Sequence, residues 1–424
     1  MSVPPYDPAC YYTATINDDR PRPVLAERLT ADVCVIGGGF TGVSAALHLA
    51  EQGFSVILCE EKRIGWGASG RNGGQLHSGQ RRDQHWLESH VGKAQARLFW
   101  DMAEEAKTLI KDRIARHAID CDWADGLIHA VHKKAWLADE QREAEQLARD
   151  YGYDAIKLLD RDQLAAAIGT DAYFGGYRDA EAGHLHPLNF VLGMARAAEE
   201  AGTRIFEGTR VTDIGTGQPI TITTEKGEVR ATHVVLAANG YLEGLEPATE
   251  ARVLPINNYI LASEPLGERD PIPGNEAVAD SRWVVHYWRM SPDRRLIFGG
   301  GETYSRRYPA NVASFVRRHM AKIYPQFADA RIDHAWGGTL AITANRMPYF
   351  RRPRSGLYVA CGFSGHGVGI ANLAGRLIGE AVAGDAGRFD TFAQLPMMAF
   401  PGGKWLRTPI QALAMTWFAL RDRM

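Results

Sequence analysis

Two hydrophobic periods run through the chain, and they divide it into elements. Val33, Val35 and Ile36 form a β-branched run that stops at Gly37 and passes into an Ala/Leu-rich stretch reaching Ala50. A second apolar run, Phe54–Cys59, follows, so strand, helix and strand are expected in that order. Leu98, Met102, Ala106, Leu109, Ile110 and Ile114 recur mostly at steps of three and four, which predicts a helix over 93–117. Residues 121–132 read as a strand, 135–151 as a helix and 174–186 as a Gly-rich alternating segment. Pro187, well suited to a first helical position, opens a helix to about Ala201. Strands are expected at 203–214, 220–224, 229–237, 254–261, 283–290, 295–299 and 356–360, with helices at 312–324 and 370–383. The last apolar helical pattern, Trp405–Arg421, reads as a helix packed on its own body, with membrane or partner docking as the alternative.

Segments of dinucleotide-binding type thus occur near the start, middle and end, with other material inserted twice. The expected fold is α/β (α+β overall), a Rossmann-like domain interleaved with a mixed-sheet substrate domain. Its boundaries fall at 29–86, 181–250 and 335–395 for the nucleotide-binding domain and at 87–180 and 251–334 for the substrate domain. Residues 1–28, with five prolines, read as an extended arm, and 396–424 as a C-terminal helical segment. A chain of 424 residues suits two domains. At 45% hydrophobic and 23% charged residues the composition is that of an ordinary soluble protein, and a net charge of -2 gives no electrostatic case for nucleic acid. The five cysteines lack paired or metal-ligand spacing, and Cys34, Cys59 and Cys361, in apolar strand-like runs, read as small buried hydrophobes in a reducing compartment, with no metal expected. No apolar run has the length of a bilayer span or the placing of a signal peptide, so a cytoplasmic enzyme is expected.

The chemistry begins at Gly37-x-Gly39-x-x-Gly42. Gly37 allows the tight turn, Gly39 lets backbone approach a pyrophosphate, and Gly42 lets the helix pack close to the strand. The pyrophosphate then meets the positive helix end. Glu60, ending the second strand, falls where a carboxylate accepts ribose hydroxyls. A second loop, Gly65–Gln75, and a third, Gly362–Gly369, suit a large cofactor lying extended, which favours FAD over NAD. The third precedes a helix whose N-terminus would stabilise negative charge on a reduced flavin. Candidate cofactor contacts are Gly37, Gly39, Phe40, Thr41, Gly42, Glu60, Glu61, Ala68, Ser69, Arg71, Asn72, Gly73, Gly74, Gln75, Val211, Ala238, Gly240, Gly362, Gly365, His366 and Gly367.

Seven runs carry a family resemblance: Gly37–Gly42, Arg63–Gln75, Gly183–Leu188, Arg294–Gly301, Asn345–Pro348, Gly362–Gly367 and Phe400–Gly403. On them the chain resembles the D-amino-acid-oxidase/glycine-oxidase/sarcosine-oxidase flavoproteins, and within these the gamma-glutamylputrescine oxidoreductases. The resemblance implies FAD bound without a covalent link. Covalent relatives use a cysteine shortly before the turn that here is Thr343–Pro348, and the stretch 336–342 has none. It also implies hydride transfer from an amine carbon to the flavin, with oxygen as acceptor and peroxide, aldehyde and ammonia as products. The amino-acid oxidases of the superfamily clamp a carboxylate with an arginine just before that turn. Leu340 is the nearest residue here, so an amine lacking that carboxylate is favoured, with Arg346 close by as a substitute.

For the substrate face the candidates are Tyr287, Arg289, Trp336 and His366, with His77 beside them. Strand alternation puts Tyr287 and Arg289 on one face and Trp288 on the other. The pair would offer a π-face to a cation and a hold on a distal carboxylate, although an exposed Arg beside a half-buried Tyr fits the pattern equally. His366 reads as a flavin or loop contact, and Trp336 fits packing as well as catalysis. A sarcosine/glycine-type oxidase, or a flavoprotein dehydrogenase with an acceptor other than oxygen, stands as the alternative, with a non-catalytic flavin-binding module a further one.

Overall fold

The computed structural model describes residues 5–303 and 308–401. The C-terminal helix expected from Trp405 lies outside them. The strand β1 (Arg28–Ile36), the helix α1 (Phe40–Glu51) and the strand β2 (Val56–Cys59) follow one another as the period change predicts. Five parallel strands, 357–361, 228–236, β1, β2 and 204–206, form the centre of an eight-stranded sheet. Buried on both faces, β2 and the strand 357–361 read as continuous apolar runs rather than alternating ones. The small-residue helix α3 (Gly367–Val382) and the helix Pro187–Glu200 pack with α1 over one face. Gly375 lets α3 approach α1 closely, since a Cβ there would meet the Thr41 carbonyl oxygen at 2.5 Å.

The second sheet has nine strands, in the order 332–342, 254–265, 295–303, 287–290, 277–280, 124–130, 176–184 and 75–76, with 156–159 paired to 176–184. Neighbours are antiparallel except 277–280 with 124–130. The helix Val312–Ile323 closes one end over a core that includes Trp288, Phe298, Met320 and Tyr324. The loop Gly65–Gln75 links the sheets: the Gln75 side-chain amide donates to the Val278 and Trp288 carbonyls at 2.9 and 3.3 Å.

Several elements differ from their sequence reading, among them the unpredicted strands Ile332–Ile342 and Tyr349–Arg354. The expected strand 203–214 splits into Arg204–Phe206 and Val211–Ile214 around Glu207. That carboxylate is fully buried and accepts the Arg22 and Ile64 N–H groups, which turns the chain. The helices Gln84–Val91 and Arg161–Ile168 are additional, each started by an aspartate that accepts the N–H of the third residue beyond it. The N-terminal arm is not a loose extension. Tyr6, Tyr11 and Tyr12 are buried, Tyr6 donates to the Ile64 carbonyl at 2.7 Å, and residues 11–14 form a helical turn. All five cysteines are buried and unpaired.

Candidate active site

A cavity of about 960 Å³ runs from the end of β1 into the second sheet. Its first part is built by backbone. Gly37, at φ +106°, turns the chain out of β1, and a Cβ there would stand 2.8 Å from the Ala237 carbonyl oxygen. A Cβ on Gly42 would overlap the Gly37 carbonyl, so only glycine lets α1 start this close to β1. The Phe40 N–H donates to the Ser69 hydroxyl at 2.9 Å, which ties the second loop to the helix end. Glu60 accepts the Gly38 and Lys62 N–H groups at 2.7 and 2.8 Å, and burial nonetheless pushes its carboxyl up to about 7.

Inside the second loop, Asn72 donates to the Ala68 and Ser69 carbonyls and accepts the Gly74 N–H. Arg71 holds the Trp66 and Gly337 carbonyls and Asp7. The third loop delivers the N-terminus of α3 to the cavity through Gly365, His366, Gly367 and Val368, and no side chain caps that helix end. A helix end with free N–H groups, a carboxylate after β2 and a long tethered loop of backbone amides fit an extended dinucleotide. Most expected cofactor residues line the cavity, Glu61, Ala68, Val211 and Ala238 among them. Gly42, Gly74, Gly240 and Gly362 do not. A Cβ on Gly42, Gly74 or Gly362 would collide with its neighbours, so these three serve close packing, whereas one on Gly240 would find no atom nearer than 3.6 Å. Cys59 is the cysteine at the cavity wall, beside Glu60.

Beyond the loops the cavity is lined by Trp100, Leu127, Leu147, Val285 and Tyr287, with charged groups between them. Tyr287 donates to the Asn258 side-chain oxygen at 2.5 Å. His366 and His77 face each other with ring centroids 5.1 Å apart, and His366 Nε2 lies 3.0 Å from the Gly79 carbonyl. Burial, assisted by the Arg81 charge, pushes His366 down to about 4 and holds His77 well below the usual imidazole range. Both are therefore neutral near pH 7. Arg81 lines the cavity with no hydrogen bond or ion pair to a described residue, and Arg346 sits 4.2 Å over the Trp283 ring. Leu340 also reaches the wall.

Arg289 and Trp336 are placed differently from the expectation. Tyr287 and Arg289 do share a strand face, but Arg289 is 2% exposed and stands away from the cavity. It donates to the Gly73, Leu185 and Met290 carbonyls and to the Tyr12 hydroxyl, at 3.0–3.3 Å. Trp336, equally buried, donates to the Arg71 carbonyl at 3.0 Å. Both brace the second loop from behind. Among the cavity residues that escaped the sequence reading are Arg81, Glu140 and Glu143, the last two on the helix α2 (Leu137–Tyr151), where Leu147 continues the same face.

The Gly183–Leu188 run supplies support rather than lining. His184 Nε2 lies 2.7 Å from the Asn275 carbonyl, and His186 Nδ1 accepts the Asn189 N–H at 3.1 Å to cap the following helix. Burial pushes both imidazoles down to about 3. In the unfolded chain they titrate near 6.5, so the unfolded state binds more protons between those values. Stability is complete above pH 6.5 and falls as pH drops, by up to about 1.4 kcal/mol per pH unit for each histidine. A melting temperature flat from pH 8 to 7 and declining steadily from 6.5 to 5 is the expected result; a flat profile to pH 5 would contradict the burial.

Among the described residues no helix is long and apolar enough to cross a membrane. Residues 32–381 match the model of the family described as FAD dependent oxidoreductase (DAO). The chain is 41% identical over 418 residues to gamma-glutamylputrescine oxidoreductase of Escherichia coli strain K12, covering 98% of each. It is 40% identical over 415 residues to the probable oxidoreductase OrdL of Rhizobium meliloti strain 1021, covering 97% of each. Among solved structures, glycine oxidase from Geobacillus kaustophilus superposes with a TM-score of 0.71 at 22% identity, covering 84% of this chain and 95% of that one. L-proline dehydrogenase from P. horikoshii gives a TM-score of 0.70 at 22% identity, with 86% and 94% covered. These two likenesses concern the fold.

Proposed function

The chain belongs to the DAO family of FAD-dependent oxidoreductases, and on that premise we propose that it oxidises the terminal C–N bond of gamma-glutamylputrescine or a close N-acylated diamine. Loss of hydride gives an imine that water hydrolyses to an aldehyde and ammonia, with oxygen as acceptor and hydrogen peroxide formed from it. The observation that carries this reading is the likeness along almost the whole length to a relative named for that substrate. The wall at Leu340 is apolar, although Arg81 and Arg346 line the same cavity.

FAD, which the three loops would hold, would supply the acceptor for the hydride lost from the amine carbon. The protein has a modest chemical task. His77 and His366 are uncharged, so their imidazoles tolerate a neutral amine, and the Arg81 charge beside them disfavours its protonated form. The apolar residues Leu127, Leu147 and Val285 displace water and make the neutral amine accessible. Tyr287, fixed by Asn258, offers a rigid surface that orients the substrate carbon. The N-terminus of α3 places free N–H groups where negative charge would be stabilised. No strong general base is required. Aerobic turnover is expected to release peroxide, ammonia and aldehyde in equal amounts. Turnover that needs an added acceptor and yields no peroxide would instead identify a dehydrogenase.

A further inference from the structure

We propose that Glu143 is the docking point for a second cationic nitrogen of the substrate, at its non-reacting end. The inference rests on the function proposed above and names what distinguishes its substrate from a simple amine. Glu140, Glu143 and Leu147 project from one face of α2 into the same cavity that holds the cofactor loops. Glu140 has its partner: His129 Nε2 lies 3.3 Å from its carboxylate, and His129 stacks on Tyr177 with ring centroids 5.1 Å apart. Asp179 and Asp280, the acids nearby on the second sheet, are also satisfied. Asp179 accepts the Tyr153 hydroxyl and two backbone N–H groups, and Asp280 is engaged by Arg282, His286 and Tyr173.

Glu143 makes no hydrogen bond or ion pair with a described residue. It stands one helical turn from Glu140 and also feels the Asp83 charge, so two like charges act on it and His129 alone opposes them. Burial and the Glu140 charge push its carboxyl up to about 7. A carboxylate in that position lacks one cation. An ammonium group would supply the missing charge and hydrogen bonds, with the Tyr177 ring also lining the space. Gamma-glutamylputrescine keeps such a group, because the amide is made through the side-chain carboxyl and the α-ammonium stays free.

The test compares gamma-glutamylputrescine with N-glutarylputrescine, which has the same length and carboxylate but no α-ammonium. The wild-type holoenzyme is expected to favour the first by about 10-fold or more in kcat/KM, carried mainly by KM. In Glu143→Gln, checked for full flavin content, that ratio is expected to fall to within about 3-fold, and Glu143→Asp to restore part of it. Equal kcat/KM for the two amides in the wild type, or a ratio that survives Glu143→Gln, would overturn the docking point and leave the proposed reaction intact. Oxidation of neither amide, by an enzyme whose flavin another amine reduces, would overturn the proposed reaction and this inference with it.

Discussion

Gly42→Ala is expected to purify nearly colourless. The added Cβ overlaps the Gly37 carbonyl oxygen, and both partners are backbone, so no side chain can swing aside. The first turn of α1 must move off β1, and with it the Phe40 N–H that Ser69 now accepts. Overpacking of this kind costs about 1–3 kcal/mol, and here the cost falls on the helix end proposed to receive the pyrophosphate. At 1.4 kcal/mol per tenfold, flavin affinity is expected to drop about 10- to 100-fold. Gly240→Ala is the contrast: its Cβ would find no atom nearer than 3.6 Å. Bound flavin per chain after gel filtration, read from the visible band, separates the two. Equal flavin content in both variants would refute the close-packing role of Gly42.

Arg289→Met is expected to lower stability and flavin retention together. Methionine keeps the apolar stem and removes every donor. The Gly73 and Leu185 carbonyls lose their guanidinium partner, and a buried acceptor left unpaired costs about 1–3 kcal/mol. Relief of the buried charge offsets part of this, because no carboxylate contacts Arg289 among the described residues, so a net loss of about 2–4 kcal/mol is expected. Gly73 sits in the second loop, so its loosening is transmitted to the cofactor. The melting temperature should fall by several degrees, with faster release of flavin on dilution. An unchanged melt and flavin content, combined with a raised KM for the amine, would mean that Arg289 contacts substrate after all.

The contrast between these two residues shows what the sequence makes legible. The turn at Gly37–Gly42 is local: a β-branched run, three glycines at fixed spacing and a small-residue helix determine it within twenty positions. Arg289 needed tertiary information. Alternation correctly put it on the face of Tyr287, yet the closure of Gly73, Leu185 and Tyr12 over it depends on three distant segments. Glu143 is the same case in reverse. The helix α2 is evident from its periodicity, but its polar composition conceals which face meets the cavity. The arm around Tyr11 and Tyr12 was hidden by its prolines, although three buried tyrosines in so short a stretch were its one available signal. The strand expected over 203–214 breaks at Glu207 because Arg22 and Ile64 claim its carboxylate, a contact no local pattern announces.

The central claim is that the cavity presents an amine to the flavin and that gamma-glutamylputrescine is such an amine. Anaerobic titration of the purified yellow holoenzyme with that substrate tests it most directly. The predicted result is bleaching of the flavin band at low substrate concentration, with recovery and peroxide formation when air is admitted. A flavin that stays oxidised under gamma-glutamylputrescine, yet bleaches with sarcosine or glycine, would contradict it.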